Sequence, residues 1–322
     1  MAAYNRVAIL GTGLIGSSVG LALKAARPST QVIGYDASGD NLRRAQSVKA
    51  IDRRGSLRDA LADAELVIVS TPVGAMKALF EEIAPILPIQ ALVMDTGSTK
   101  ASVLEWAGSL LPAGVRFVGG HPMAGKTETG PDAADATLFR GAVWCLAPLP
   151  STPKDAIDES VALVESLGAS PYFVDPSEHD GLVASVSHLP HLLSVALIRH
   201  LGHERSWRET ASVAAGGFAY TTHLTDSDPQ MFFDIARTNR DNLIRRLDLY
   251  ITELENLREL IRTDAPELKA AYEEARTLHL DWLAGRAQGT AAEGENPLPT
   301  TRSMLTGSLF GRFGRGDKAD KS

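Results

Sequence analysis

Short apolar runs alternate with helical patterns through the first part of the chain. Residues 7–10, 31–35, 66–70 and 91–95 are apolar runs of strand length, and the Ala- and Leu-rich segment 14–26 between the first two is typical of a helix. Continuous apolar runs are expected of parallel strands that are covered on both faces. The alternation therefore predicts an α/β fold with a parallel sheet.

The same alternation extends to about residue 175. Further strands are predicted at 117–120, 142–147 and 171–175, with a helix over 155–167 between the last two. Residues 1–175 are therefore predicted to form one α/β domain.

From residue 176 the pattern is helical only. Over 241–262 apolar residues recur at steps of three and four, which predicts a long amphipathic helix. We predict an all-helical second domain over 176–286, and its excess of apolar positions over what one small bundle can bury favours a homodimer. Residues 287–322 are Gly, Thr, Ser and charged residues without apolar periodicity, which predicts a disordered tail.

Composition narrows the class of protein. The net charge of −7 with no large basic block argues against nucleic acid as a partner. Cys145 is the single cysteine, so an internal disulfide is excluded, and its apolar surroundings favour a buried, unreactive thiol. Residues 1–6 contain no apolar signal core, and no uninterrupted apolar run reaches the ~18 residues of a membrane helix. We therefore expect a cytoplasmic protein that does not enter a membrane.

A glycine fingerprint follows the first predicted strand. Gly11, Gly13 and Gly16 form G-x-G-x-x-G at the start of the first helix. In dinucleotide-binding proteins the first glycine permits a tight turn, the second lets a pyrophosphate approach the backbone, and the third lets helix and strand pack closely. The phosphates would then lie on the free N–H groups of the helix that begins near Leu14. The motif in this context predicts a Rossmann-type, doubly wound sheet.

An acidic residue at the end of the second strand points to the cofactor. Asp36 lies close to the spacing of about 20 residues expected of a carboxylate that accepts from the ribose 2′-hydroxyl. It would repel a 2′-phosphate and no arginine follows it, so we predict NAD rather than NADP; the alternative is that Asp36 caps the helix from about Asn41. The predicted cofactor-binding residues are Gly11, Thr12, Gly13, Leu14, Ile15, Gly16 and Asp36, with Ser70, Thr71 and Pro72 at another strand's carboxyl end.

Two candidate catalytic residues also follow predicted strands. His121 comes directly after the strand at 117–120, and a neutral imidazole there can accept the proton of a substrate hydroxyl as hydride departs. The alternative is a histidine that only tethers a loop. Ser98 lies on a neighbouring exit turn, where it can orient the histidine, bind the same substrate oxygen, or cap the helix that begins near Lys100.

A second histidine pair lies in the helical half. His188 and His191 are three residues apart, so both lie on one helical face, and Pro190 must start or kink that helix. No nearby acid or cysteine completes a metal-ligand set, so no metal is expected. We favour side chains that face the cofactor cleft, with burial in a helical core as the alternative.

These motifs together resemble the prephenate and arogenate dehydrogenase family of tyrosine biosynthesis. The more specific signal is the pairing of Gly-Gly-His-Pro-Met-Ala-Gly with Ser-His-Leu-Pro-His, rather than the glycine fingerprint. The matching segments are 11–16, 95–100, 119–125, 187–191 and 216–218 running to 227–229.

The resemblance implies a reaction and roles for individual residues. Hydride passes from C4 of prephenate, or of its aminated relative arogenate, to NAD, and carbon dioxide is lost as the ring becomes aromatic. It implies that His121 accepts from the C4 hydroxyl and that Ser98 orients that pair. The substrate-binding residues implied or considered are Ser187, His188, His191, His223 and Thr127.

Two positions depart from the family's pattern. His223 stands where members commonly carry an arginine that grips a substrate carboxylate, and a histidine is a weaker, pH-dependent partner for an anion. Arg237 or Arg240 from the next helix are alternative anchors. Thr127 replaces a common glutamate near the substrate side chain, with Glu128 next, so prephenate and arogenate both stay open, as does inhibition by tyrosine at the active site.

Two other functions are compatible with the same motifs. One is a β-hydroxyacid-type dehydrogenase, in which a lysine such as Lys100 would act as catalyst; the alternative for Lys100 is a solvated residue of the first helical turn. The other is a catalytically silent NAD-binding sensor, which only the departure at His223 favours.

Overall fold

Eight strands form one sheet in the part of the chain that the structure, a computed structural model of residues 4–290, describes. The strands are β1 (Arg6–Leu10), β2 (Gln31–Tyr35), β3 (Arg53–Arg54), β4 (Leu66–Val69), β5 (Leu92–Asp95), β6 (Arg116–Pro122), β7 (Val143–Pro148) and β8 (Ser170–Phe173).

The strand order is β3-β2-β1-β4-β5-β6-β7-β8, so the chain winds outward from β1 in both directions. This is the order of a Rossmann-type sheet with two strands added, and it confirms the predicted fold class. One pair departs from the prediction of a wholly parallel sheet, because β7 runs antiparallel to β6. Parallel neighbours are usually joined by a crossover helix, whereas between these two strands the chain forms only the short 3-10 helix Pro131–Ala133.

Helices cover both faces of the sheet. Along β1, Val7 and Ile9 pack into one core layer while Ala8 and Leu10 pack into the other, as the two-residue period of a strand requires. The helices of this half are α1 (Leu14–Ala26), α2 (Gly39–Ser47), α3 (Leu57–Leu61), α4 (Val73–Ile83), α5 (Ala101–Leu110) and α6 (Lys154–Ser166), with a 3-10 turn at Ala84–Ile86.

After β8 the described chain is entirely helical, as predicted. A π-helical segment, Ala184–His188, separates the first two helices, and a 3-10 turn occupies His223–Asp226. The helices are α7 (Pro176–Val183), α8 (Leu189–Gly202), α9 (Trp207–Ser212), α10 (Gly216–Thr222), α11 (Pro229–Thr238), α12 (Arg240–Arg262) and α13 (Glu267–Thr290). Helix α13 therefore continues beyond residue 287, where the tail was predicted to begin, and residues 291–322 lie outside the described chain.

The helical run Pro176–Gly202 has a mean hydropathy of 1.6 and is long and apolar enough, by length and composition alone, to cross a membrane. The prediction considered only uninterrupted apolar runs and so did not single it out. Its polar side chains His179, Asp180, His188 and His191 are buried in the protein. Of its most apolar window 28% is buried in the described structure, where the buried polar groups have hydrogen-bond partners that lipid does not supply.

Two carboxylates from the helical half dock it against the sheet domain. Asp234 accepts from the backbone N–H of Gly74 (3.1 Å) in the first turn of α4, and Asp180 accepts from those of Lys100 (2.7 Å) and Ala101 (3.0 Å) at α5. Neither α4 nor α5 has a side-chain cap from its own N-cap residue. Each acid therefore satisfies helix-terminal donors that would otherwise be unpaired, and the helical half is held over the carboxyl ends of β4 and β5.

Candidate active site

The glycine turn has the geometry that a dinucleotide needs. Gly11 has φ +98°, and a Cβ there would lie 2.4 Å from the carbonyl oxygen of Ser70. A Cβ on Gly16 would lie 2.0 Å from the carbonyl oxygen of Gly11. A Cβ on Gly13 would meet no atom within 4 Å, so this position opens to free space. The first and third glycines serve the packing of strand and helix, and the second leaves room for a phosphate.

The N-terminus of α1 supplies donors for such a phosphate. Gly13 is the N-cap and offers no side chain, and the first turn contains no acidic residue. The first N–H groups of a helix have no partner within it. Those at the start of α1 are therefore free for an anion, in the position where dinucleotide-binding proteins hold a pyrophosphate. The residues present fit NAD.

Asp36 faces this turn from the end of β2. Its carboxylate accepts from the backbone N–H of Thr12 (2.7 Å), the Thr12 hydroxyl (3.1 Å) and the backbone N–H of Ser38 (2.8 Å). Helix α2 is capped by Ser38, whose hydroxyl accepts from the N–H of Asn41 (3.2 Å). The alternative in which Asp36 caps that helix is therefore wrong, and the acid lies beside the fingerprint.

The turn after β4 borders the same region. Ser70 accepts through its hydroxyl from that of Thr96 (2.9 Å), which joins the exit turns of β4 and β5. The hydroxyl of Thr71 is buried and has no hydrogen-bond partner in the described chain. Pro72 is the N-cap residue of α4. An unpaired buried hydroxyl in this turn is suited to a ligand contact, since a buried polar group without a partner is costly.

His121 lies near the carboxyl end of β6, within the strand rather than after it, and is paired in register with Cys145 of β7. Its Nδ1 lies 2.9 Å from Nε2 of His179, on α7. Nδ1 of His179 in turn lies 2.8 Å from the Asp180 carboxylate, the one that accepts from the N-terminus of α5. The structure therefore joins His121 to the helical half through two buried side chains.

Asn239 ties a second histidine to the same cluster. Its Nδ2 donates to the backbone carbonyl of Asp180 (2.7 Å) and lies 3.1 Å from Nδ1 of His188. Because an amide nitrogen only donates, Nδ1 of His188 accepts and Nε2 carries the hydrogen. That Nε2 is buried and has no hydrogen-bond partner among the residues that the structure describes. His188 therefore has one unused hydrogen-bond donor.

The π-helical segment brings these histidines together. His179 and His188 are nine positions apart, which is two and a half turns of an α-helix and would place them on opposite faces. Residues 184–188 instead form wider turns with i→i+5 bonds, which rotate the side chains that follow. Helix α8 begins directly afterwards, with Pro190 in its first turn as predicted.

The ring of His191 stacks on that of Phe232 in α11. The two rings are nearly parallel, with an interplanar angle of 3° and centroids 3.2 Å apart. The contact fixes the ring between α8 and α11, although 9% of the residue remains exposed. Ser187 is half-buried and makes no hydrogen bond through its side chain in the described structure.

Lys100 is not the solvated residue that one alternative supposed. It is completely buried, and its Nζ is paired with the equally buried carboxylate of Asp95 at the end of β5. Asp95 also accepts from the backbone N–H groups of Gly97 (2.7 Å) and Gly120 (3.0 Å). The ion pair thus fixes the exit turn of β5 against the residue that precedes His121.

Ser98 has neither of its two predicted local roles. The first N–H groups of α5 are bound by Asp180, and the hydrogen-bond partner of His121 in the described chain is His179. The Ser98 side chain is half-buried and makes no hydrogen bond within the described chain. The physical reason is that two residues of the helical half make these contacts instead: Asp180 binds the start of α5, and His179 binds His121. The Ser98 hydroxyl is therefore available to a ligand.

The two family-departing positions are exposed. His223 lies in a 3-10 turn, and its Nδ1 is 2.6 Å from the carbonyl oxygen of Tyr220 in the same segment. Thr127 is exposed, and its hydroxyl donates to Glu128 at 3.4 Å. Neither side chain has a hydrogen bond to the histidine cluster in the described chain.

The cluster favours neutral imidazoles. His121 is half-buried, and desolvation by the surrounding protein, with smaller contributions from His179, Lys100 and His188, holds its pKa well below the ordinary histidine value. Burial lowers the pKa of His188 to about 4, against an opposing effect of Asp180, and burial also lowers the pKa of His191. At neutral pH His121 therefore has a lone pair available to take a proton.

Three residues of the cluster are not found by sequence reasoning, namely His179, Asp180 and Asn239. The available signal is the adjacent histidine and acid in the first turn after Pro176, and it does not show that β6 lies opposite. In the part of the chain that the structure describes, no group of three or more His, Cys, Asp or Glu side chains is placed so that it could hold a metal ion.

A Rossmann-type domain with a free helix N-terminus for a pyrophosphate, and a neutral histidine at the strand ends beneath a helical domain, defines an NAD-dependent dehydrogenase. Family models match both halves: the nucleotide-binding domain of prephenate dehydrogenase over residues 19–172 and the prephenate dehydrogenase dimerization domain over 175–274. The chain belongs to the prephenate dehydrogenase family.

Several proteins are similar to this chain in sequence or in structure. The prephenate dehydrogenase of Bacillus subtilis is 34% identical over 288 residues, covering 88% of this chain and 78% of the relative. The cyclohexadienyl dehydrogenase of Zymomonas mobilis is 34% identical over 284 residues, covering 87% and 97%. The structure of prephenate dehydrogenase from A. aeolicus with hydroxyphenyl propionate and NAD+ has a TM-score of 0.81 and 28% identity, covering 87% of this chain and 98% of that one. Synechocystis arogenate dehydrogenase has a TM-score of 0.72 and 28% identity, covering 86% and 99%.

Proposed function

We propose that the protein catalyses the NAD-dependent oxidative decarboxylation of prephenate or of its aminated analogue arogenate, with His121 as the proton acceptor. The observation that carries this proposal is the state of His121: a half-buried, neutral imidazole at the carboxyl end of β6, with Nδ1 occupied by His179. Its Nε2 is then the nitrogen left for a substrate hydroxyl.

The reaction follows from that lone pair. The C4 hydroxyl of the substrate gives its proton to Nε2 of His121 as the C4 hydride leaves, and a C4 ketone forms. Bound NAD supplies the hydride acceptor. The bond from C1 to the carboxylate then breaks, carbon dioxide departs, and its electron pair moves through the ring to the ketone oxygen. That oxygen takes the proton back from His121, so the protons balance and an aromatic phenol remains.

We assign supporting roles to the other predicted residues. Ser98, whose hydroxyl has no hydrogen-bond partner within the described chain, contacts the same substrate oxygen. His188 donates its unpaired Nε2 hydrogen to an oxygen of the substrate. His191 and Ser187 line the pocket from α8 and the segment before it. The glycine turn and Asp36 hold the pyrophosphate and the ribose, and Ser70, Thr71 and Pro72 border the cofactor.

The decisive assay follows NADH absorbance with the purified wild-type protein and NAD, adding prephenate, arogenate or a set of 3-hydroxyacids in separate reactions. We expect turnover with prephenate, with arogenate, or with both. The ratio of the two kcat/KM values identifies the preferred substrate. Turnover with 3-hydroxyacids alone would overturn the proposal in favour of a β-hydroxyacid dehydrogenase, and no turnover with any substrate would favour a silent NAD-binding protein.

The lysine-based alternative loses its support in the structure. A catalytic Lys100 would need an accessible Nζ, but that atom is buried and paired with Asp95. Only the departure at His223 favours the sensor, whereas the lowered pKa of His121, which leaves a proton acceptor at the strand ends, favours an enzyme.

The substrate carboxylate needs a cation, and we propose His223 for this role. It is the residue at the position of the family's arginine. Its Nδ1 donates to the Tyr220 carbonyl, and its Nε2, which has no hydrogen-bond partner in the described chain, can donate to a carboxylate when both ring nitrogens carry hydrogen. We expect His223→Ala to raise the substrate KM several-fold with little change in kcat, because it removes a contact made equally in the ground and transition states. Steady-state kinetics with varied substrate at saturating NAD measures both constants.

The matched variants are Arg237→Ala and Arg240→Ala. Both arginines are exposed at the junction of α11 and α12, and Arg237 lies over the ring of Phe233, 5.6 Å from its centroid. An unchanged KM in His223→Ala, together with a raised KM in either arginine variant, would move the carboxylate anchor to that arginine.

We further propose that the protein works as a cytoplasmic homodimer. Large apolar side chains remain exposed on the helices of the second half, among them Ile244, Leu254, Ile261 and Trp282. None of the side chains of α12 is buried, although the helix is 23 residues long. Exposed apolar surface on this scale is typical of an interface. The buried, unpaired Cys145, whose pKa burial raises, is compatible with a reducing compartment.

A further inference from the structure

We infer that His179, held by Asp180, is a positioning residue that determines which nitrogen of His121 faces the substrate. The inference rests on the proposed function, in which Nε2 of His121 takes the proton. His179 is 1% exposed and Asp180 is 2% exposed, so water does not compete for either side chain. The two contacts of His179 are short, 2.9 Å to His121 and 2.8 Å to Asp180.

The positions of the hydrogens in the hydrogen-bonded series Asp180–His179–His121 can be assigned starting from Asp180. A carboxylate only accepts, so Nδ1 of His179 carries the hydrogen that Asp180 receives. A neutral imidazole with its hydrogen on Nδ1 has a lone pair on Nε2. Nε2 of His179 therefore accepts the hydrogen bond from Nδ1 of His121. With its hydrogen on Nδ1, His121 presents a lone pair at Nε2. The chain from Asp180 through His179 thus selects the tautomer that can act as a base.

The acid at the end of this chain is fixed independently of the histidines. Asp180 accepts two backbone N–H groups at the start of α5, from Lys100 and Ala101, and its own carbonyl accepts from Asn239. It therefore cannot rotate away to release His179. Because α5 follows the exit turn of β5, the same contact sets the distance between the helical half and β6.

The arrangement also suits the charged state that forms during reaction. When His121 takes the substrate proton, both of its ring nitrogens carry hydrogen, and the bond to His179 is retained. The other charged or titratable groups near the ring are Lys100, already paired with Asp95, and His188 with His191 behind it. Asp180 is therefore the acid joined by hydrogen bonds to the developing imidazolium, through His179.

The test compares His179→Phe with His179→Gln. Phenylalanine fills the space of the ring and makes neither hydrogen bond, whereas glutamine can accept from His121 through its carbonyl and donate to Asp180 through its amide. We expect His179→Phe to lower kcat about 10- to 100-fold, the range seen when a metal-ligating histidine loses the partner that orients it, with the KM for NAD unchanged. We expect His179→Gln to recover a large part of that loss. His203→Phe, at an exposed histidine, is the control and should match wild type.

A spectroscopic readout separates positioning from simple structural support. In the wild-type protein with NAD bound, 15N shifts of the histidine rings should show Nδ1 of His121 protonated and Nε2 unprotonated. In His179→Phe the two tautomers should become mixed. A fall in kcat without a change in the tautomer, equal activity of the Phe and Gln variants, or a loss below two-fold would each overturn the inference.

Two outcomes remain interpretable if the variants misfold or the substrate is wrong. If His179→Phe does not fold, a wild-type ring of His121 with Nδ1 unprotonated contradicts the inference by itself. If wild type turns over neither prephenate nor arogenate, the proposed function fails while the tautomer measurement still judges the role of His179.

Discussion

Replacing His121 by asparagine should lower kcat by about 10²–10⁴-fold, the usual share of a positioned general base. The asparagine keeps a donor near His179 but has no ring nitrogen with a lone pair to take the substrate proton. Because His121 acts on the hydroxyl only as hydride leaves, the effect should fall on kcat, while the KM for NAD should stay close to wild type.

Stopped-flow or steady-state NADH formation measures this loss, with circular dichroism to show that the variant is folded. His203→Asn is the matched control, because it makes the same substitution at an exposed histidine outside the cluster. Turnover within a few-fold of wild type in His121→Asn would refute the assignment of the base.

The second large effect is on stability. Lys100→Met should lower the free energy of unfolding by about 3–5 kcal/mol, because it leaves the carboxylate of Asp95 buried and without its cation. Both side chains are fully buried, so solvent cannot take the place of the missing charge. Asp95 would still accept hydrogen bonds from the backbone N–H groups of Gly97 and Gly120, and these bonds set the position of His121.

Urea unfolding at neutral pH measures the difference. Lys154→Met removes a lysine whose ion pair with Asp158 is exposed, with 86% and 61% of the side chains accessible, and should change stability by less than about 1 kcal/mol. The double variant Lys100→Met with Asp95→Asn should be less destabilised than Lys100→Met, because no unpaired charge remains. Equal stability of Lys100→Met and Lys154→Met would show that the buried pair contributes little.

The first βαβ unit is predictable from sequence because its determinants are local. The apolar run of β1, the glycines from Gly11 to Gly16 and the acid at Asp36 are close along the chain, and the backbone geometry that each glycine permits is a property of that residue. The antiparallel course of β7 is not local in this sense. It depends on whether the chain between β6 and β7 forms a crossover helix. The sequence pattern of that segment does not exclude such a helix, and only the structure shows a short 3-10 helix there.

The candidate site divides in the same way. His121 could be found because a catalytic group at the carboxyl end of a strand is a rule of this fold, and His188 because of its spacing from His191. His179 could not, because its importance lies in a contact with a strand 58 positions earlier in the chain. The alternatives of a helix cap for Ser98 and a solvated side chain for Lys100 were wrong for a related reason. The start of α5 is bound by Asp180, and Lys100 is paired with Asp95, and both contacts depend on how the exit turn of β5 packs in the tertiary structure.

The sequence by itself determined the Rossmann-type sheet, the preference for NAD and the membership of a histidine-dependent dehydrogenase family, since glycine conformations, strand periodicity and motif spacing are encoded over short distances. Only the tertiary structure decided that His179 and Asp180 stand behind His121, that a π-helical segment turns His188 toward them, and that Lys100 is a buried ion pair. These features arise from packing between distant segments, where desolvation and hydrogen-bond satisfaction, rather than local propensity, select the arrangement.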